Sequence, residues 1–267
     1  MPKRKTILDI TGMKQDKSKI AVLTAYDYPF ARLMDQAGID IILVGDSVGS
    51  VVSGYDNTLP VTLEEMIYHT RAVMRGSNQA LVVTDMPFMS YQADIRDARI
   101  NAGRLIKEGG AQAVKLEGGQ PMAETIRSLV DIDIPVVGHI GLTPQSIHRM
   151  GGFKVQGRAE EQARKLVADA RAVEEAGAFA IVLEGIPADL AREITHILSI
   201  PTIGIGAGVG CDGQVLVIHD LLGLYDKYSP KFVKRYADIA PTISRGIEEY
   251  IEEVKTGLFP TDDHSFK

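Results

Sequence analysis

Six ionisable side chains stand at or near the ends of short apolar runs in this 267-residue chain. Asp46 closes "IDIILVGD", Asp85 lies in "ALVVTDMP", Lys115 and Glu117 interrupt "AVKLEGG", His139 falls in "VVGHIGL" and Glu184 in "FAIVLEGI". A β-strand sends alternate side chains to opposite faces, so Lys115 and Glu117 share one face while Val114 and Leu116 share the other. Asp and Glu oxygens with little histidine suit a hard cation, and Mg²⁺ takes one or two carboxylates while leaving other positions to water and substrate. Burying several carboxylates together raises their pKa values unless cations compensate them, and one lysine is too few. The pattern points to a combined metal and anion site, with Lys115 placed to receive a negative oxygen of a substrate. A lysine inside a strand can also form a Schiff base with a carbonyl substrate once desolvation lowers its pKa, and that chemistry needs no metal.

Each residue also has a plainer reading. Asp46 or Asp85 can cap the helix that follows, and Glu117 or Glu184 can be the buried partner of a nearby cation. Lys115 can simply neutralise Glu117, and a single histidine such as His139 is more often a satisfied core residue than a catalyst. It is the recurrence of such residues on strand after strand that carries the functional reading.

Comparable β-rich runs lie at 20–27, 39–46, 80–87, 113–119, 136–142, 179–186, 202–208 and 215–223. Helical patterns lie between most of them: "TLEEMIYHTRAVMRG", opened by a Thr62/Glu65 capping box, "IRDARINAGRLIKEGG" and "AEEQARKLVADARAVEEAGA". Near-continuous apolar strands are covered on both faces, which indicates a parallel sheet. Eight such units predict an α/β fold, a (β/α)8 TIM-type barrel, as a single domain over residues 1–267. The first twenty residues then form a capping segment, and "KFVKRYADIAPTISRGIEEYIEEVKTGLFP" forms C-terminal amphipathic helices. Active sites of such barrels lie at the C-terminal ends of the strands, where the six residues fall. The rival, a doubly wound open sheet, normally carries a glycine fingerprint after its first strand, and "AVLTAYDYPFARLMDQAG" has none.

The loop "SVGSVVSGYDNTLPVT" is Gly- and Ser-rich, as expected of a segment lining the rim. "GIGAG" (204–208) has no fuller phosphate motif and receives no role, Cys211 reads as incidental, and His219 reads as a structural histidine late in the last strand. A net charge of −6, from 29 basic and 35 acidic residues without a basic block, argues against nucleic acid or an anionic membrane surface, so the expected partner is a small molecule. The single cysteine fits a reducing cytoplasm. No apolar run approaches the roughly 20 residues that cross a bilayer, and "MPKRKTILDITGMKQDK" lacks the apolar core of a signal peptide.

The stretches "ILVGDSVG", "VVTDMPF", "AVKLEGG", "VVGHIGLTPQS", "GGFKVQGR", "IVLEGIP" and "TIGIGAGVGCDGQVLVIHDLLG" together closely resemble the ketopantoate hydroxymethyltransferases, over nearly the whole chain and in order. The resemblance implies a barrel of the phosphoenolpyruvate/pyruvate superfamily, a homo-oligomer, with a decamer expected, and a place in pantothenate biosynthesis. It further implies Mg²⁺, with 5,10-methylenetetrahydrofolate as co-substrate. Motif by motif, it puts Asp46, Asp85 and Glu117 on the metal, Glu117 through water. Asp46, Ser47, Asp85, Lys115 and His139 then surround the 2-oxo acid, and Glu184 is the proton-transfer residue. The implied reaction moves a hydroxymethyl group to 3-methyl-2-oxobutanoate through a Mg²⁺-stabilised enolate, giving ketopantoate and tetrahydrofolate. One alternative is another Mg²⁺-dependent, enolate-forming C–C lyase of the superfamily, but those share a cysteine followed by a His-rich loop, a context Cys211 lacks. A non-catalytic barrel is the other alternative, and the presence of Asp46, Asp85 and Glu184 speaks against it.

Overall fold

The structure is a computed structural model that describes residues 3–152, 154–225 and 230–266. The chain divides into two compact units, one ending at Val217 and the other beginning at Ile218. In the first unit eight strands form a closed barrel: β1 (Ile20–Thr24), β2 (Ile41–Val44), β3 (Leu81–Asp85), β4 (Ala113–Glu117), β5 (Val136–Gly141), β6 (Ala180–Glu184), β7 (Thr202–Ile205) and β8 (Gly213–Leu216). Every pairing is parallel and joins sequence neighbours, with β8 returning to β1. The barrel expected from the sequence is therefore present.

Strand periodicity sorts the side chains. Ile20, Val22, Ile41, Leu43, Leu81, Val83, Ala113, Val137, Ala180, Val182, Ile203 and Val215 form one buried cluster, and they are the alternate residues that face the barrel axis. Continuing each inward series two residues at a time towards the C-terminal end gives Asp85 on β3, Lys115 and Glu117 on β4, His139 on β5 and Glu184 on β6. The register sets Asp85 beside Lys115 and Glu117 beside His139. Hydrocarbon thus fills the lower layers and charge the top one, while Val114 and Leu116 point outward and are fully buried.

Helices cover the outside. Leu63–Gly76 opens with the expected Thr62/Glu65 capping box, and Glu160–Glu175 is the helix before β6. The segment expected as one helix from 95 is α-helical over Ile95–Arg104, then widens to a π-turn over Leu105–Gly109. The last strand differs from its expected 215–223 span. It begins at Gly213 and ends at Leu216, and His219 lies in the short helix Ile218–Leu221 of the second unit, so it is not a strand residue. Close packing explains the shift: a Cβ on Gly213 would stand 2.5 Å from Ile20 O, so the strand starts at a glycine that breaks the apolar run in the sequence. β7 and β8 meet at only two register positions, against five between β5 and β6.

The capping segment holds the helix Ile7–Gln15, opened by a Thr6/Asp9 capping box. Its Ile10 is fully buried in the same cluster as Ile20, Ile41, Leu81 and Phe179, closing the barrel end opposite the charged layer. Ile10→Ala should therefore cost about 2–5 kcal/mol, the range for truncating a buried aliphatic residue. An unshifted urea midpoint would show that this helix lies outside the cooperative core.

Candidate active site

Four adjacent strands deliver a continuous row of buried polar contacts. Lys115 Nζ lies 3.2 Å from Asp85 Oδ1 and 3.2 Å from His139 Nδ1. His139 Nδ1 is 3.5 Å from Glu117 Oε1, and its Nε2 is 3.1 Å from Glu184 Oε2. From the turn after β2, the backbone N–H of Asp46 donates to Asp85 Oδ2 at 3.0 Å. The structure thus brings Asp46, Asp85, Lys115, Glu117, His139 and Glu184 together. Ser47 joins at the edge: its hydroxyl pairs with Tyr26 OH at 2.8 Å. An ideal Cβ on Gly45 would sit 2.8 Å from Ser47 Oγ and 3.6 Å from Asp85 Oδ2, so the missing side chain makes room for this junction.

Gln145 and Tyr91 were not singled out from the sequence. Gln145, in the connection after β5, donates from Nε2 to Asp46 Oδ2 at 2.9 Å and to Met86 O at 3.0 Å. Its Oε1 accepts from Tyr91 OH at 2.8 Å and from Gln92 Nε2 at 2.9 Å, and its backbone N–H donates to Glu117 Oε2 at 3.0 Å. Every donor and acceptor of the side-chain amide is occupied, and one residue orients two of the site carboxylates. Glu117 N–H in turn donates to Tyr91 OH at 3.0 Å. The only sequence signal was a polar residue in a loop at the correct end of the barrel, which many non-functional residues share.

Burial dominates the electrostatics. It drives the Asp46 carboxyl up to about 8, with the negative charges of Asp85 and Glu117 adding to the effect and Lys115 and the Gln145 hydrogen bond opposing it. Asp85 is raised by the same burial, against the pull of Lys115 and the Asp46 N–H. Burial acts to lower the Lys115 pKa, but Asp85, Glu117 and Asp46 outweigh it and hold the residue as an ammonium. For His139, burial and Lys115 act downward and hydrogen bonding to Glu117 and Glu184 acts upward, with the balance at about 9. An ammonium has no lone pair, so in the neutral ring Nδ1 accepts from Lys115 and the proton sits on Nε2, facing Glu184, whereas the protonated ring carries a proton on both nitrogens.

The donor set suits a divalent cation. Asp85 Oδ1 is buried and makes no hydrogen bond, although Lys115 is within ion-pair distance, and three buried carboxyl groups, those of Asp46, Asp85 and Glu117, stand near one ammonium. Among the described residues no group of three or more His, Cys, Asp or Glu side chains converges to hold an ion unaided. The carboxylate oxygens of Asp46, Asp85 and Glu117 are donors of the kind that Mg²⁺ accepts while keeping positions for water and substrate oxygens.

A family model for ketopantoate hydroxymethyltransferase matches residues 4–262. The chain belongs to that family. Relatives include the 3-methyl-2-oxobutanoate hydroxymethyltransferase of Syntrophotalea carbinolica, 73% identical over the full length of both chains, and that of Geobacter sulfurreducens, 70% identical over the same span. Among solved structures, a 2,3-dimethylmalate lyase described as a PEP mutase/isocitrate lyase superfamily member shares the fold, with a TM-score of 0.62 at 18% identity, covering 97% of this chain and 91% of that one. For this family member, Gln145→Met is expected to lower kcat/KM about 10–100-fold, the usual cost of removing a residue that orients metal-site groups. It should leave the thermal midpoint within a few degrees. Wild-type kcat/KM would mean that Gln145 only fills space.

Proposed function

We propose that the row Asp85–Lys115–His139–Glu184 generates the enolate of 3-methyl-2-oxobutanoate, with Glu184 as base and Lys115 as the fixed positive charge beside the developing oxyanion. The family's activity, hydroxymethyl transfer to 3-methyl-2-oxobutanoate, is the activity of this chain. The observation that carries the residue assignment is the succession of ammonium, imidazole and carboxylate along one barrel rim, with Asp85 and the neighbouring Asp46 at its other end.

Asp46 and Asp85, with Glu117 acting through water, would hold Mg²⁺, whose contribution when bound is to withdraw electron density from the carboxylate and keto oxygens and so acidify the neighbouring C–H. Glu184 is the most accessible of the rim carboxylates, its side chain 15% exposed against 4% for Glu117 and 5% for Asp85. It is therefore the one a substrate C–H can reach. His139, with Nε2 3.1 Å away, fixes where Glu184 points, and Lys115 in turn fixes His139. Glu184 takes the C3 proton and the charge passes to the 2-oxo oxygen facing Lys115. Water hydrolyses the methylene bridge of the folate, both C–N bonds breaking and each nitrogen taking a proton to leave tetrahydrofolate. C3 adds to the freed formaldehyde carbon, whose oxygen takes the proton from Glu184 to become the hydroxyl. Ser47, anchored by Tyr26, is placed to hydrogen-bond the substrate carboxylate. Three carboxylates that keep Lys115 protonated work against the Schiff-base chemistry, which requires a free amine.

The rest of the reading is a cytoplasmic homo-oligomer of ten subunits. Association is supported by the helix Ala240–Thr256, along one side of which Ile243, Ile247, Tyr250, Ile251 and Val254 are all exposed in the single chain. Cys211 is fully buried and is the only cysteine, which suits a reducing compartment. Among the described residues no helix is long and apolar enough to cross a membrane.

Glu184→Gln keeps size and much of the hydrogen bonding while deleting the base. Exchange of the C3 hydrogen of 3-methyl-2-oxobutanoate with deuterated water, followed by NMR without folate, should fall about 10²–10⁴-fold. Exchange at the wild-type rate would move the base elsewhere, with His139 the first candidate. Asp85→Ala should abolish turnover while leaving the protein folded, whereas turnover retained under limiting Mg²⁺ would remove Asp85 from the metal set. Borohydride should trap no substrate adduct on Lys115, and a trapped adduct would restore the Schiff-base mechanism.

A further inference from the structure

Beside the charged strands, the barrel rim at β1 is built of hydroxyl groups. Ile20 and Val22 face the axis, and alternation puts Thr24, at the end of β1, on the same face. Tyr26 follows two residues later and is buried. Its phenol oxygen lies 2.8 Å from Ser47 Oγ and is also hydrogen-bonded to the Thr24 side chain. The Tyr26 backbone is held from the helix Leu63–Gly76, where His69 donates from Nδ1 to Tyr26 O at 2.7 Å, and the two rings meet edge to face. Ser47 stands immediately before the short helix Val48–Val51, where a serine hydroxyl ordinarily caps the first turn, yet it makes no capping bond. That hydroxyl is turned to Tyr26 instead. Burial keeps the phenol protonated, above its ordinary pKa, against the Ser47 and Thr24 hydrogen bonds and with a smaller push from Asp85 and Asp46.

Building on the functional reading above, we propose that Tyr26 is a positioning residue for the 2-oxo acid: it donates to Ser47 Oγ, so that Ser47 keeps its own proton for the substrate carboxylate. Each hydroxyl carries one proton. A carboxylate has none to give, so a serine that binds it must point its proton at it. The Tyr26 proton then falls on Ser47 Oγ, and the Thr24 proton falls on the Tyr26 oxygen. The hydrogen bonds run one way, from the barrel axis to the substrate, and each polarises the next. A lone serine side chain rotates among three staggered positions, and the rigid phenol selects one of them before the substrate arrives. His69 fixes the phenol in turn, which extends the support of the carboxylate subsite to a helix on the outside of the barrel.

The test reads C3 exchange of 3-methyl-2-oxobutanoate in deuterated water, with KM and kcat separated. Tyr26→Phe deletes one oxygen and leaves the ring. KM should rise about 2–10-fold, the cost of one hydrogen bond, while kcat stays, because Lys115 and Glu184 are untouched. In a Ser47→Ala background the same change should have no further effect on KM, since the two residues act as one unit. An unchanged KM with normal exchange overturns the proposal alone, and so does a Tyr26→Phe effect that simply adds to that of Ser47→Ala, or one that falls on kcat. Absence of exchange in the wild-type enzyme overturns the functional reading and the proposal with it. If Tyr26→Phe does not fold, His69 decides: His69→Leu should raise KM, and His69→Asn, whose amide replaces the Nδ1–H, should restore it. Equal KM values for the wild type and both variants overturn the proposal.

Discussion

The structure turns on the burial of several like charges on one face of a few neighbouring strands. Asp46, Asp85 and Glu117 are all at most 6% exposed, and mutual repulsion in a medium of low polarisability would make that arrangement costly without compensation. Lys115 supplies part of the compensation and sits between Asp85 and His139 because register puts β4 next to both β3 and β5. The rest comes from directed dipoles: the Asp46 N–H on Asp85, and the amide and N–H of Gln145 on Asp46 and Glu117. The groups left least compensated are Asp85 Oδ1, ion-paired with Lys115 but without a hydrogen bond, and the buried Asp46 carboxyl. On the functional reading proposed above, that imbalance is what a bound metal ion would relieve.

The layering of the barrel makes that imbalance tolerable. Beneath the rim, the axis is filled by valine, isoleucine and leucine side chains closed off by Ile10, so no water reaches the charges from below. The ionisable groups meet solvent only from above, where Glu184 is the most open. On β3 to β6 the inward face changes from hydrocarbon to ionisable group within two residues, and this abrupt change places those groups on a rigid backbone rather than on a loop.

Much of this could be read from the sequence because it depends on strand periodicity alone. Lys115 and Glu117 were bound to share a face once 113–117 was a strand, and Asp85, His139 and Glu184 were bound to be near them once the strands alternated with helices in a parallel sheet. Gln145 and Tyr91 stayed hidden for the opposite reason. They are neutral, they come from connections whose course no period dictates, and their importance lies in which atoms they reach. The last strand was misplaced because it starts at Gly213, which serves a close backbone approach, and the exposed polar Gln214, neither of which extends the apolar run. The acids themselves suggested a hard metal ion, whereas the folate and the role of each residue came from family resemblance, since three acids and a lysine suit several chemistries.

The short seam between β7 and β8 has a bearing on where the barrel gives way. With two register positions joining those strands and five joining β5 to β6, the circle of hydrogen bonds is weakest on the side that carries none of the six charged residues. Transient opening, which amide exchange would record as the earliest loss of protection, therefore falls at β7 and β8. The enzyme can breathe there while the spacing between Asp85, Lys115, His139 and Glu184 is kept, so thermal motion and catalytic precision occupy opposite arcs of the same ring.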